Sequence, residues 1–243
     1  MLEQIASFFE SLGATKALEQ LEYLLDPVTI PFATWEALYA PFLATVLAYL
    51  IGLPIGVILV IGEEGGIRPL NKKFMAALNT VINLLRSIPF LILMVLVFPL
   101  SRLILGTSIG TAASIVPLTV AAAPYVARLV ESSLREMDRG VIEAAQSMGA
   151  TTWQIVTKVM LPECKPSLVS GATNASITIL GYGAMAGNIG GGGLGAMALM
   201  RGYGRHQDIV MYVAVIILVI LVQIIQSVGT ALSTKLDKRI THK

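Results

Sequence analysis

The stretch EAAQSMGATTWQIVTKVMLP, residues 143–162, combines residue types and a spacing that suit contact with another molecule. It places a carboxylate, Glu143, beside the small residues Ala144 and Ala145, on a polar segment between two long apolar runs. A carboxylate is a strong acceptor of charge-assisted hydrogen bonds, and small neighbours let another surface approach closely. The expected chemistry of this stretch is docking.

No pattern of reactive residues predicts an enzyme. The sequence has no phosphate-binding G-x-x-x-x-G-K-[ST] motif, and no nucleophile lies in a recognisable pattern with a base. Gly190, Gly192 and Gly195 have the spacing of a dinucleotide-binding loop, but they lie in an apolar run without a preceding strand. We interpret them as sites of close helix packing or as points where a span loosens. Cys164 is the one cysteine and there are two histidines, so no disulfide or metal cluster is predicted, and no cofactor either.

The composition is that of an integral membrane protein. Of 243 residues, 55% are hydrophobic and 13% are charged, whereas a soluble domain has about 25% charged residues. The 17 basic and 15 acidic residues nearly balance, which argues against a nucleic-acid partner. Membrane lipid is therefore the first expected partner.

Five runs with few or no charges are long enough to cross a bilayer, which takes about 20 residues. They are residues 37–62, 74–101, 103–127, the stretch between 165 and 201, and 209–234. We therefore predict an all-α membrane protein with five transmembrane helices. An odd number of spans places the two termini on opposite sides.

The basic residues predict which side is cytoplasmic, because Lys and Arg collect in cytoplasmic loops. With the amino terminus outside, the inner side holds Arg68, Lys72, Lys73, Arg128, Arg135, Arg139, Lys158, Lys165, Lys235, Lys238, Arg239 and Lys243. The outer side then holds only Lys16, Arg102, Arg201 and Arg205. This asymmetry predicts a multi-pass membrane protein with residues 143–162 in the cytoplasm.

Three regions follow from this topology. Residues 1–36 form an extracytoplasmic extension, residues 37–234 form the transmembrane domain with a cytoplasmic loop at about 135–165, and residues 235–243 form a cytoplasmic tail. The extension is either an amphipathic helix at the outer surface, ended before Pro31, or a segment with little structure. Its apolar residues recur at helical spacing: Leu2, Ile5, Phe9, Leu12, Leu18, Leu21 and Leu25.

The cytoplasmic loop is predicted to be a helical hairpin. Asp138 suits the N-cap of a first helix and Gly149 suits its end. One face of this helix collects apolar side chains: Val141, Ile142, Ala145 and Met148. Thr151 and Gln154 form a capping-box pattern that starts a second helix, which Pro162 is expected to stop.

The second helix carries Trp153, Val156 and Met160. A hairpin this small cannot bury its own apolar face. The face must therefore pack on the membrane domain or enter a groove of another protein.

The same loop resembles the EAA loop of ABC-importer permease subunits. That pattern is EAA, three residues, G, nine residues, then I-x-L-P. Here EAA occupies residues 143–145, Gly149 follows, and VMLP occupies residues 159–162, with Val159 in place of the usual Ile.

Four further stretches resemble the membrane subunit of the methionine importer family. They are NLLRSIPF (83–90), GTSIG (106–110), IVPLTVAAAPYVARLVESSL (115–134) and GYGAMAGNIGGGGLG (181–195). The resemblance covers residues 37–234 and does not include the first 36 residues.

The resemblance implies a type I ABC-importer permease fold and the partners of such a machine. These are a second copy of the chain, two cytoplasmic ABC ATPase subunits that bind ATP and magnesium, and an extracytoplasmic binding protein or lipoprotein that delivers methionine. It also implies that the first loop helix is the coupling helix that docks on the ATPase. The residues of this helix are Val141, Ile142, Glu143, Ala144, Ala145, Met148 and Gly149. Another amino acid or small polar substrate is the nearest alternative cargo.

Four residues are candidates for the pathway or its gate. Arg86 lies within a predicted span, where a charge usually faces the bundle interior or a water-filled cavity. It either lines the pathway or is a structural arginine held by backbone carbonyls. Tyr182, Met185 and Asn188 recur at i, i+3 and i+6 in the glycine-rich run, where they either line a gate or face lipid or an interface.

Two other classes of membrane protein fit the sequence less well than an importer permease. A secondary transporter would need intramembrane acids or paired broken helices, and no Asp or Glu lies well inside a predicted span. A purely structural subunit would account for the spans but not for the loop motif.

Overall fold

The computed structural model describes Gly13 and residues 16–237, and every regular element in that part of the chain is a helix. Residues 16–25 form α1. The next elements are α2 (Thr29–Ile61), α3 (Lys72–Ser87), α4 (Phe90–Leu105), α5 (Thr111–Arg135) and α6 (Arg139–Ser147). They are followed by α7 (Thr152–Gln154), a π-helical segment (Ile155–Met160), α8 (Leu161–Glu163) and α9 (Lys165–Ala186). The chain then forms a 3-10 turn (Gly187–Ile189), α10 (Gly193–Ala196), a second π-helical segment (Met197–Tyr203) and α11 (Asp208–Leu236).

The main packing contact joins α2 to α5. Every fourth residue of α2 along this contact is small: Ala40, Ala44, Ala48, Gly52 and Gly56. A Cβ on Gly52 would lie 2.8 Å from the carbonyl oxygen of Ala123, and one on Gly56 would lie 2.6 Å from that of Ala127. The two backbones are therefore as close as glycine allows, which is how helices pack in lipid without a hydrophobic driving force.

The remaining long helices complete a bundle around α5. Leu118, Val126 and Val130 of α5 are fully buried in its centre. Helix α9 packs against α2, α5 and α11, and α4 packs against α5. At the contact of α9 with α11, Gly229 lies so close to Thr173 that no side chain would fit between them. Small residues thus bring several helices together, as the glycine content predicts.

Three helices of the described residues are long and apolar enough to cross a membrane, namely α2, α5 and α11. Helices α3 and α4 pass the same test only as a pair bent by 110°. Helix α9, in the fourth predicted span, is not among them. The count of five spans and the orientation of the termini stay predictions.

The second and third predicted spans have different bounds in the structure. The second, residues 74–101, is divided at Ile88 and Pro89, because a residue before proline is driven to an extended backbone and Ile88 has ψ 125°. The third, residues 103–127, begins too early. Its first residues belong to α4, which ends at Gly106 with φ +77°, and α5 begins only at Thr111.

Two prolines predicted to end helices lie in the first turns of helices instead. Helix α1 ends at Asp26, and Pro31 lies in the first turn of α2, where a missing N–H is tolerated because those N–H groups lack intrahelical acceptors. Pro162 likewise lies in the first turn of α8 and does not stop the helical path. Leu2, Ile5, Phe9 and Leu12 lie outside the described residues.

Candidate functional site

The loop between α5 and α9 has the predicted helical hairpin at residues 138–163. The Asp138 carboxylate accepts a 2.8 Å hydrogen bond from the Gly140 N–H and caps α6. Gly149 has φ +75°, a left-handed backbone conformation that often ends a helix and that glycine adopts with little strain. The predicted start and end of this helix are therefore confirmed.

The capping box at the start of the second half is also confirmed. The Thr151 hydroxyl accepts from the Gln154 N–H at 3.3 Å, and the Gln154 side-chain oxygen accepts from the Thr151 N–H at 2.8 Å. Two N–H groups of the first turn are thus satisfied reciprocally, which secures the entry into α7.

The predicted apolar face of α6 is divided between two environments. Ala145 is 3% exposed and Ile142 is half-buried, and both pack on the core formed with Ile155 and Met160. Val141 and Met148 point away, and Met148 is 82% exposed. The inner face is therefore fixed to the chain's own membrane domain, and the outer side is free for a partner.

We name this outer apolar surface the loop ridge, formed by Val141, Ala144, Met148 and Trp153. All four side chains are exposed, Trp153 to 74%. Val156 and Met160, predicted to share a face with Trp153, are buried instead. The ridge offers apolar contact area that the chain itself does not cover.

Charged residues lie beside the loop ridge. Glu143 lines a cavity of about 280 Å³ together with Glu63, Arg135 and Arg139. The Arg135 guanidinium pairs with Glu63 at 2.7 Å and with Glu131 at 2.9 Å, which ties the segment after α2 to the end of α5. One ion pair therefore lies within α5, and the other joins the end of α5, where the loop begins, to the segment that follows α2.

The four pathway candidates do not form one row. Arg86 is exposed in the last turn of α3, at the α3–α4 break, and so does not lie halfway along a continuous span. Asn188 lies beyond the end of α9, in the 3-10 turn, so it does not continue the helical row of Tyr182 and Met185. Tyr182 stacks on Phe90 with ring centroids 4.4 Å apart, which places it at the start of α4, near the break that follows Arg86.

Arg128 is a residue whose role the sequence did not reveal. One of its terminal nitrogens pairs with Glu131 at 2.6 Å, and the other donates to the side-chain oxygens of Asn79 at 2.8 Å and Asn83 at 2.9 Å. The two asparagines, four residues apart on α3, face the same side. That spacing of amides in an apolar helix was the available signal for a polar contact between α3 and α5.

Glu36 is a second residue whose role was missed. It marked the edge of the first predicted span, but α2 begins at Thr29, so the carboxylate lies two turns inside the helix. It accepts from the Thr111 hydroxyl at 2.6 Å and from the Gly193 N–H at 2.9 Å. Helix α2 therefore begins before the first predicted span, and the expectation that no acid lies well inside a span stays a prediction.

Glu36 holds a turn that we name the glycine hairpin, residues 187–195. Gly192 donates to the Thr111 hydroxyl at 3.1 Å, and Gly110 donates to the carbonyl of Gly190 at 2.8 Å. A Cβ on Gly195 would overlap the backbone of Ala184. Close packing is confirmed at Gly192 and Gly195, and Gly190, left-handed at φ +101° where the helical path breaks, fits the other interpretation, a point where a span loosens. The run follows a helix and not a strand, which does not fit a dinucleotide-binding loop.

Within the part of the chain that the structure describes, no group of three or more His, Cys, Asp or Glu side chains could hold a metal ion. The arrangements in this part are instead suited to mechanical roles. A helix with one fixed and one free face can transmit a push, and a carboxylate that joins three segments can hold a turn in place.

Residues 52–242 match the family described as "Binding-protein-dependent transport system inner membrane component". The chain is 49% identical over 210 residues to the probable D-methionine transport system permease protein MetI of Vibrio cholerae, covering 85% of this chain and 92% of that protein. It is 45% identical to the probable D-methionine transport system permease protein MetI of Pasteurella multocida, covering 86% and 96%.

Solved structures agree with these relatives. A structure described as inward-facing conformations of the MetNI methionine ABC transporter, in a native crystal form, matches with a TM-score of 0.85 at 44% identity, covering 88% of this chain and 99% of that chain. An amino acid ABC transporter matches with a TM-score of 0.67 at 20% identity, which shows a shared fold alone. The chain therefore has the type I permease fold and belongs to the family of binding-protein-dependent transport system inner membrane components.

Proposed function

We propose that this chain is the permease subunit of an ATP-driven ABC importer that carries methionine across the inner membrane. The observation that carries the proposal is the 49% identity over 85% of the chain to a relative named as a D-methionine transport permease. The match to a MetNI methionine transporter at 44% identity supports the same substrate. The alternative is that the same kind of importer carries another amino acid or a small polar molecule, and uptake measurements with competing substrates test it.

The proposed complex contains two copies of this chain, two ATPase subunits and an extracytoplasmic binding protein. ATP and magnesium would be bound by the ATPase subunits. The loop ridge would enter a groove of the ATPase, and Glu143 beside it would accept hydrogen bonds from that partner. The free outer side of α6 supports this arrangement, because an apolar surface next to a carboxylate suits a groove with a polar edge.

The two-sided packing of α6 suggests how motion passes through the loop. Ala145 and Ile142 fix the inner face of α6 to a core that includes residues of α5 and α9. When the ATPase subunits close, a partner that grips the loop ridge would move α6 and its core together. The ion pairs of Arg135 with Glu63 and Glu131 extend this connection to the end of α2. ATP-driven closure would thereby alternate the access of the transport path.

The proposed topology has five spans, with an outer amino terminus and a cytoplasmic carboxyl terminus. In it, α3 and α4 form one broken span, and α9 crosses as a fourth span, although it is not among the three helices that are long and apolar enough by themselves. The domain limits follow as residues 1–36, 37–234 and 235–243. Arg86 and Tyr182, at either side of the α3–α4 break, would lie near the path, with Met185 and Asn188 toward the glycine hairpin.

Reconstituted vesicles test this function. The chain, its ATPase and its binding protein would be assembled in vesicles that contain ATP, and uptake of labelled methionine and of competing amino acids would be measured. Methionine-dependent uptake and stimulated ATP hydrolysis are expected. Uptake without ATP would favour a secondary transporter, and stimulation by another amino acid but not by methionine would reassign the cargo.

A further inference from the structure

Helix α1 turns Gln20, Tyr23 and Leu24 toward the protein, while its other leucines and its charged residues are exposed. Gln20 is buried and accepts a 3.0 Å hydrogen bond from the Ile209 N–H at the start of α11, and Tyr23 and Leu24 pack on the adjoining core. Leu18, Leu21 and Leu25, the predicted apolar face, are exposed, Leu25 to 79%. These leucines therefore need a covering that the chain does not supply.

Exposed apolar side chains follow one another from α1 into the start of α2, and we name this set the α1–α2 ridge. Its members recur three or four residues apart: Leu18, Leu21, Leu25, Val28, Phe32 and Trp35, all exposed. Further along α2 the exposed apolar side chains include Phe42, Val46 and Leu50. These side chains suit contact with lipid, because α2 is long and apolar enough to cross a membrane, and α1 at the start of α2 would then lie at the membrane interface.

A cavity of about 360 Å³ opens beside the α1–α2 ridge. Tyr23, Val28 and Phe32 line one side of it, and Met197 and Arg201 of the second π-helical segment line the other. Val28 and Phe32 belong to both the cavity wall and the α1–α2 ridge, so the cavity is accessible from the lipid side. Apolar side chains make up most of its wall.

Arg201 is the one cation among the residues that line this cavity. Its guanidinium lies 3.5 Å from the centroid of the Tyr23 ring, and its Nε donates to the Gln207 side-chain oxygen at 3.0 Å. Both contacts hold the planar group in place, and four further N–H groups of the guanidinium are left for an acceptor. Glu36, the acid in the wall, already accepts from Thr111 and Gly193.

A cavity that has one cation and a largely apolar wall suits a molecule with an anionic group and an apolar chain. We propose that this cavity binds a membrane phospholipid, with its phosphate on Arg201 and one acyl chain along Val28 and Phe32. Guanidinium groups bind phosphate through paired hydrogen bonds, and basic pockets at a membrane interface take lipid head groups. The bound lipid would join α1 to the second π-helical segment, next to the glycine hairpin. This proposal needs only the membrane location of the chain and not the methionine import proposed above.

Native mass spectrometry of the purified full-length protein tests the proposal, after extraction from vesicles of phosphatidylethanolamine and phosphatidylglycerol. The wild type is expected to retain phospholipid as a discrete mass addition. Arg201→Gln removes the cation and should lower the retained fraction about tenfold, as expected for the loss of charge-assisted bonds. Arg205→Gln is the matched control, since Arg205 is exposed four residues further on and does not line the cavity.

Val28→Asp is the second variant. It puts a carboxylate on the cavity wall at the N-cap of α2, a position that favours Asp and at which Val28 is 63% exposed, so the fold should be unaffected. Loss of lipid in both Arg201→Gln and Val28→Asp, with retention in Arg205→Gln, supports the site. If Arg201→Gln fails to fold, Val28→Asp decides alone. Wild-type levels of lipid in Val28→Asp, equal loss in Arg205→Gln, a wild type without lipid, or a retained amino acid in place of phospholipid would each overturn it.

Discussion

The Glu36 carboxylate accepts a 2.9 Å hydrogen bond from the N–H of Gly193, a residue 157 positions further along the chain. The same carboxylate accepts from the hydroxyl of Thr111 at 2.6 Å. One side chain thus joins α2, the start of α5 and the glycine hairpin. A carboxylate at the N-terminus of α10 and the helical segment after it is also favoured by the helix dipole.

Replacing Glu36 by alanine should weaken both stability and transport. The Thr111 hydroxyl and the Gly193 N–H would lose their acceptor, at a cost of about 1–3 kcal/mol in the free energy of unfolding. Glu36→Gln keeps one acceptor oxygen, so its stability and transport should lie between those of the wild type and of Glu36→Ala. Thermal unfolding and vesicle uptake measure the effect, with Glu22→Ala on exposed α1 as the control. A Glu36→Ala protein with the Tm and uptake of the wild type would exclude a structural role for this carboxylate.

Gly56 should not tolerate alanine. A Cβ there would lie 2.6 Å from the Ala127 carbonyl oxygen and 2.7 Å from the Val130 Cβ, so α2 and α5 would have to separate. We expect Gly56→Ala to destabilise the protein by about 1–3 kcal/mol. Gly181→Ala is the control, because a Cβ at Gly181 has nothing within 4 Å. Unfolding in detergent would be compared for both variants, and an equal Tm shift would argue against close packing at Gly56.

Met148→Asp should prevent docking of the ATPase without unfolding the membrane domain. The side chain is 82% exposed, so the charge costs the free chain little, but it would have to lose water in an apolar groove. Co-purification with the ATPase should fall at least about tenfold. Met148→Leu keeps the apolar contact and should bind normally. Normal binding by Met148→Asp would remove the loop ridge from the proposed interface.

Gly149 should accept asparagine and reject valine. No atom lies within 4 Å of a Cβ built on Gly149, so the cost of substitution comes from its φ of +75°. That cost is about 1–2 kcal/mol for most residues, but less for asparagine and more for β-branched residues. Methionine-stimulated ATP hydrolysis should be retained in Gly149→Asn and reduced in Gly149→Val. Equal activity of the two variants would show that this backbone conformation is not needed for coupling.

Arg128→Lys should loosen α3 from α5. Lysine keeps the charge beside Glu131, but its single amino group cannot reproduce the fork that also reaches Asn79 and Asn83. A loss of about 1–2 kcal/mol in stability is expected. Arg139→Lys, at an exposed arginine, is the control. If Arg128→Lys matches the wild type in unfolding, the contacts with the two asparagines contribute little.

Local features of the loop could be predicted because they depend on neighbouring residues. The Asp138 cap, the capping box of Thr151 and Gln154, and the turn at Gly149 each follow from residues within four positions. The contact of Glu36 with the glycine hairpin could not be predicted, since it depends on how α2 and α10 meet. Secondary-structure propensity carries no information about how close α2 and α10 lie in the fold.

The orientation of α1 could not be predicted for a different reason. The spacing of Leu18, Leu21 and Leu25 correctly places them on one side of a helix. Periodicity does not say whether an apolar side faces protein or lipid, because the two surroundings are equally apolar. A different ambiguity applies to α6, because spacing does not say which apolar side chains pack on the core, as Ile142 does, and which face outward, as Met148 does.

The small-residue contact between α2 and α5 has a consequence for how the chain enters the membrane. Helix α2 is made before α5, and it is strongly apolar and mostly exposed to its surroundings, so it can insert before α5 exists. Helix α5 is less apolar and is largely buried by its neighbours. Its polar and small residues gain a suitable environment only beside α2. Helix α2 therefore acts as the template on which the later and less apolar α5 is stabilised in the bilayer.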